Sequence, residues 1–257
     1  MSSEVVLFEQ RGHVAIITLN RPEARNAVNG DVARGLEAAL DRFEDDPELW
    51  VGILAGNGKA FCAGADLKAV AEGRGNELGT RKGGFAGIAT RKRTKPLIAA
   101  IAASALAGGT EIALSCDMII CADDTRFGLP EVKRSLLAGA GGLFRLPRVI
   151  GMAPALEVIL TGDPLPAQRA YELGMVNTLV PADRVLDTAL ELAERIAVNA
   201  PLAVQASRRV ASQALAETDA ELWQRSADEF REIAKTEDYK EGPRAFVEKR
   251  APQWQGR

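Results

Sequence analysis

The chain has 257 residues, 47% of them hydrophobic and 26% charged, which is enough apolar volume for one large domain or one domain with an appendage. Its formal charge of −3 gives no basis for nucleic acid or an acidic membrane surface as a partner. No run approaches the ~20 apolar residues of a membrane span, and no N-terminal stretch has signal-peptide form, so a cytoplasmic chain is expected.

In chain order, Val14–Leu19 (VAIITL) is a β-branched apolar run that predicts a strand, ended by Asn20-Arg21-Pro22. Asp31–Glu44 has helical spacing, with Leu36, Leu40 and Phe43 on one face and Asp45-Asp46-Pro47 as the stop. Val51–Ala55 predicts a second strand. Phe61-Cys62-Ala63-Gly64-Ala65-Asp66-Leu67 then sets small residues between strand and helix, where a ligand or another backbone can come close. The stretch from Gly73 to Gly87 is glycine-rich and of mixed charge. It reads as a long mobile loop of the kind that forms lids and binding loops.

Pro96–Ala103 predicts a third strand, Gly108–Cys116 a helix and Met118–Ala122 a fourth strand. Strands alternating with helices indicate an α/β domain with largely parallel pairing. Helical segments follow at 140–151, 155–160 and 167–173, the last ending at Gly174 as a C-cap, and Val176–Val180 predicts a final strand. After Pro181 the pattern is helical throughout, over 182–199, 201–216, 219–235 and 237–249. The organisation expected is an α/β core over 1–195 and a helical region over 196–257.

The chemistry points to carboxylates. The single histidine, His13, opens a strand-like run away from any cluster, which leaves nucleophile–histidine mechanisms without their base. Cys62, Cys116 and Cys121 are odd in number, lack metal-ligand spacing and read as free thiols, so no metal is expected. Glu111 falls in the first turn of the helix opened by Gly108-Gly109, where the helix dipole favours an ionised carboxylate. The free N–H groups at that helix start can hold developing negative charge. Glu131, after Pro130, lies on a segment returning toward the same end of the sheet. If the two acids meet, like-charge repulsion raises one pKa and lets them divide acid and base work. Spacing alone leaves open the plainer alternative of one capping and one solvated glutamate.

A chain-long series of motifs resembles the crotonase (enoyl-CoA hydratase/isomerase) superfamily. It comprises Asn20-Arg21-Pro22 with Asn26-Ala27, Phe61 to Lys68, Gly108-Gly109-Thr110-Glu111, Phe127-Gly128-Leu129-Pro130-Glu131, Gly139-Ala140-Gly141-Gly142 with Arg145-Leu146-Pro147, Leu160-Thr161-Gly162, and Glu241 to Arg250. The resemblance implies a crotonase-like spiral of ββα units with a helical C-terminal trimerisation region, assembled as a homotrimer or a dimer of trimers. It implies an acyl-CoA thioester substrate and no separate cofactor, coenzyme A being part of the substrate. By the family pattern the backbone N–H groups of Ala65 and Gly108 hold the thioester oxyanion, and Glu111 and Glu131 hold a water that adds across the 2,3 double bond. Coenzyme A contacts are expected along Ala63, Asp66, Leu67 and Lys68, at Arg25, and at Phe246 and Lys249, the last two in some members reaching a neighbouring subunit. Isomerases, hydrolases and decarboxylases of the superfamily usually keep one of the two acids or neither, so both together favour hydration. An isomerase, a thioester hydrolase and a non-catalytic acyl-CoA-binding relative are the alternatives. The glycine-rich segment and the C-terminal block also resemble carnitinyl-CoA dehydratase. Ala102-Ala103-Ser104, Ala107, Ala138 and Leu143-Phe144 depart from the usual pattern around the acyl pocket and leave the acyl group open.

Overall fold

The computed structural model describes residues 4–257. Strand β1 (Val6–Arg11) turns back through Gly12-His13 into β2 (Val14–Leu19), α1 (Gly30–Asp45) follows, and then come β3 (Val51–Gly56) and the short α2 (Leu67–Ala71). A two-stranded hairpin, β4 (Gly79–Thr80) and β5 (Gly84–Phe85), precedes β6 (Leu97–Ile101), β7 (Ala105–Leu106), α3 (Gly108–Ala113), β8 (Met118–Ala122) and β9 (Arg126–Gly128). The chain continues through α4 (Gly142–Ile150), α5 (Met152–Thr161), β10 (Leu165–Pro166), α6 (Ala167–Glu172) and β11 (Thr178–Val180). It ends in four helices, α7 (Val185–Ala197), α8 (Pro201–Ala211), α9 (Asp219–Ile233) and α10 (Glu237–Glu248).

The main sheet has the order β1-β2-β3-β6-β8-β11, antiparallel between β1 and β2 and parallel from β2 onward. Its inner strands β2, β3, β6 and β8 are buried on both faces, as central parallel strands are. Ala15, Ile17, Leu19, Leu54, Leu97 and Ala99 point to one side, where α1 lays down Val32, Leu36, Leu40 and Phe43. The alternate residues Val14, Ile16, Ile53, Ile98 and Ile120 point to the other and meet Val185, Ala189 and Ala193 of α7. Helix α7 is therefore a layer of the core. A division at 195/196 falls in its last turn, and the helices that stand outside the core are α8 to α10.

A second, three-stranded sheet of order β10-β9-β7 sits beside the first. Its strands of two or three residues are too short to leave a periodic signal. They matter because β7 runs into α3 and β9 runs into the segment that carries Glu131.

Two local expectations are revised. The stretch from Gly73 to Gly87 is folded, with a 3-10 turn (Gly75–Leu78) and the β4–β5 hairpin. Gly83, Gly84 and Gly87 serve close contacts: a Cβ on Gly83 would lie 2.0 Å from the Gly87 carbonyl oxygen. Strand β1 was not foreseen because Glu9, Gln10 and Arg11 give it the polar character of a sheet edge.

Candidate active site

The loop 61–66 is drawn out between two other segments. Val28 N–H donates to the Gly64 carbonyl at 2.8 Å, Asp66 N–H to Val28 at 2.9 Å, and Leu106 N–H to Cys62 at 3.1 Å. Asn26 buttresses this loop from below. It is fully buried, and its amide donates to the Asn57 and Ala60 carbonyls. The loop consequently lies against the start of α3, so closely that glycine is required on both sides. A Cβ on Gly64 would sit 2.8 Å from the Gly108 nitrogen, and one on Gly109 would sit 2.1 Å from the Cys62 carbonyl oxygen.

Ala107 precedes α3 with φ +53° and ψ −129°, a conformation L-residues rarely adopt, and provides no side-chain cap. Its N–H donates to the Gly128 carbonyl at 2.8 Å, which fixes the turn. The N–H groups of Ala65 and Gly108 have no backbone acceptor among the described residues, and both residues line one cavity of about 590 Å³. Two such donors at a helix start suit the oxygen of a polarised carbonyl.

Glu111 and Glu131 line the same cavity. Thr110 sets the first: its hydroxyl donates toward the Ala105 and Gly128 carbonyls and accepts from Gly128 N–H, tying α3 to the small sheet. Glu111 is only 3% exposed, and its Oε1 accepts the Gly142 N–H at 2.9 Å, so this carboxylate of α3 serves as the missing cap of α4. Burial pushes its pKa up. The Gly142 N–H and the Arg145 guanidinium favour the anion, and the charge of Glu131 adds to the upward push. Desolvation thus works against the ionisation that the α3 dipole favours, and it outweighs the hydrogen bond in the direction of the shift.

Glu131 stands on a 3-10 turn, Pro130–Arg134. It is half-buried, its Oε2 is enclosed without a hydrogen-bond partner, and burial raises its pKa as well, opposed first by its own backbone N–H and then by the charge of Arg134. The unpartnered oxygen faces the need for a donor such as water or a substrate group.

Of the other expected contacts, Arg25, Ala63 and Leu67 line the cavity. Asp66 and Lys68 do not. The Asp66 carboxylate is taken by Arg21 at 2.6 Å and by the N–H groups at the start of α2, and Lys68 is exposed. Phe246, 85% exposed, and Lys249 lie at the end of α10 and do not line the cavity of their own chain. His13 stacks on Trp50 with ring centroids 3.6 Å apart and is likewise absent from the cavity. Among the described residues no cluster of His, Cys, Asp and Glu could hold a metal, and no helix is long and apolar enough to cross a membrane.

Arg145 is a positioning residue that motif spacing did not single out. It donates to the Ala89 carbonyl at 2.6 Å, the Ala140 carbonyl at 3.2 Å and the Ser115 hydroxyl at 2.9 Å, and so joins three segments around Glu111. Phe85, Leu78, Leu136 and Leu137 complete the apolar side of the cavity.

Paired carboxylates facing unpartnered backbone donors in a largely apolar cleft define an acid–base site for a carbonyl compound. Residues 9–257 match the enoyl-CoA hydratase/isomerase family, and the chain belongs to that family and has its crotonase-like fold. It is 42% identical to a carnitinyl-CoA dehydratase of Proteus mirabilis, over 99% of this chain and 100% of that one. It is 40% identical to an enoyl-CoA hydratase of Mycobacterium tuberculosis, over 98% of this chain and 96% of the relative. The crystal structure of an enoyl-CoA hydratase from M. tuberculosis superimposes with a TM-score of 0.95 at 48% identity, covering 99% of this chain and 100% of that one.

Proposed function

We propose that the protein is an enoyl-CoA hydratase that reversibly adds water across the 2,3 double bond of a trans-2-enoyl-CoA. The observation that carries this reading is the pair of glutamates, one buried and one half-buried, on a cavity also lined by Ala65 and Gly108, whose N–H groups have no backbone acceptor among the described residues. The thioester oxygen accepts from those two donors. As the water oxygen bonds to C3, the π electrons move toward the thioester and charge gathers on its oxygen, where each donor contributes ~3 kcal/mol. Glu111 and Glu131 hold the water, and a proton is delivered to C2. Carboxylate pKa values raised by burial suit this work, because a shift toward the working pH makes taking and returning a proton easier.

Coenzyme A enters along Ala63 and Leu67, with Arg25 toward its phosphates and with Phe246 and Lys249 available to a neighbouring subunit. The region 196–257 serves as the oligomerisation region of a trimer or dimer of trimers. In support of this, Trp223, Phe230, Phe246 and Val247 are each more than half exposed on α9 and α10, a density of bare apolar side chains that assembly would cover. A cytoplasmic location fits an enzyme of this substrate class.

The likeness to carnitinyl-CoA dehydratase raises a second acyl group for the same chemistry. Leu78, Phe85, Leu136 and Leu137 favour an uncharged acyl chain over a quaternary ammonium, which a cage of several aromatic rings would recognise. Hydration of a panel of 2-enoyl thioesters by the wild type, Glu111→Gln and Glu131→Gln tests the assignment. Each variant is expected to lose two or more orders of magnitude, on the order of a positioned acid or base, while still binding the thioester. Near-normal turnover in either would overturn it.

A further inference from the structure

The turn that carries Glu131 also carries an arginine outside the family motif. In a 3-10 helix, side chains three residues apart eclipse one another. Pro130–Arg134 is such a turn, and Glu131 and Arg134 are three apart on it and both line the cavity. The intervening basic residue, Lys133, is committed elsewhere, to Asp163 at 2.7 Å. Arg134 is exposed and has no carboxylate within ion-pair distance among the described residues, while Glu131 has an enclosed oxygen with no donor. Ser135, with φ +54°, ends the turn, its N–H donating back toward the Glu131 and Val132 carbonyls.

We propose that Arg134 is a positioning residue for Glu131, a cation set one 3-10 turn from the carboxylate on the same cavity wall, beyond ion-pair distance, that orients the acid which handles the water. This rests on the hydratase reading, in which Glu131 handles the water. The charges around Glu131 are few. Glu111 of α3 lines the same cavity, where the charge of Glu131 pushes the Glu111 pKa up and Arg145 of α4 pulls it down. Arg25 lies on the same cavity wall, and Glu157, exposed on the surface, is the one charged residue of α5, which packs against the turn. Arg134 is the cation that shifts Glu131 downward, against burial. An exposed guanidinium acts through partly solvated space, so its effect is long-range in character and sensitive to salt.

The test is the pH profile of kcat/KM and kcat for a 2-enoyl-CoA in wild type, Arg134→Gln and Arg134→Lys, at low and high ionic strength. Arg134→Gln is expected to move the acid limb to higher pH, with a loss of roughly threefold or more on that limb and near-normal activity on the plateau, as removal of one screened charge predicts. Arg134→Lys is expected to restore most of the limb, and high salt to move the wild type toward Arg134→Gln. Superimposable limbs, or a raised KM with an unmoved limb, would overturn the proposal. Glu131→Gln run alongside separates the two levels: an inactive Glu131→Gln with an unmoved limb in Arg134→Gln removes only the role of Arg134, whereas an active Glu131→Gln removes the hydratase assignment itself.

Discussion

Glu111 stands on a wall where three backbones touch, with the loop 61–66, the start of α3 and the small sheet interlocked through Gly64, Gly109 and Thr110. Glu131 stands on a single 3-10 turn followed by Leu136 and Leu137, the latter 75% exposed. The first carboxylate already has its hydrogen bond, from Gly142, whereas the second has an oxygen with no donor. One wall is therefore preorganised, and its carboxylate is placed before any ligand arrives. The other is completed by what binds to it. That division suits a reaction whose oxyanion site must be rigid and whose acyl pocket must admit a chain.

Breaking the rigid wall should have the largest effect. Gly109→Ala puts a methyl within 2.1 Å of the Cys62 carbonyl oxygen, which a backbone cannot yield without moving the Gly108 donor. A loss of about 2–3 kcal/mol in stability is expected by denaturant unfolding. Loss of the donor geometry is expected to cost on the order of 100-fold in kcat. A soluble Gly109→Ala protein with wild-type kcat would show that this wall is not rigid.

Next comes the cost of burying the acid. The folded-state pKa of Glu111 is raised above the ordinary glutamate value, so in the window between those two values the folded state binds more protons than the unfolded state. Stability is then lost as pH rises through that window and is regained below it. Glu111→Gln removes the ionisation while keeping a hydrogen-bond acceptor for Gly142. It is expected to have a higher Tm than wild type at pH 8, the gap closing as pH falls toward the ordinary glutamate value. The same shift places the acid limb of activity above the range of a free glutamate. A Tm gap that does not change with pH would remove burial as the cause.

The adaptable wall should give the smallest effect on stability. Leu137→Ser is expected to change unfolding free energy by less than about 0.5 kcal/mol, because the side chain is mostly in water already. Its signature is instead a KM that rises with acyl chain length across a thioester series. A stability loss as large as that of Gly109→Ala would erase the contrast between the walls.

The same contrast governs how much the sequence disclosed. Long apolar runs such as Val14–Leu19 and Met118–Ala122 became strands with the expected bounds, and the amphipathic pattern around Leu36, Leu40 and Phe43 became α1. Glu111, Glu131, Ala65 and Gly108 were legible as a group only through the family resemblance, since their convergence depends on contacts between segments far apart in the chain, such as Thr110 with Gly128 and Cys62 with Gly109. What periodicity could not reveal were β7, β9 and β10, too short for a pattern, and the role of Arg145, two of whose three partners are backbone carbonyls that any residue could supply. Nor could a motif show that Glu111 caps a different helix, or that it is buried deeply enough for desolvation to oppose the effect of its own helix start on its ionisation.

Product analysis in 18O-labelled water tests the central claim most directly. With a good trans-2-enoyl-CoA, the predicted product is a 3-hydroxyacyl-CoA with one labelled oxygen, at C3, and its thioester intact. Label in a released carboxylate together with free coenzyme A, or an unlabelled 3-enoyl thioester as the main product, would contradict it.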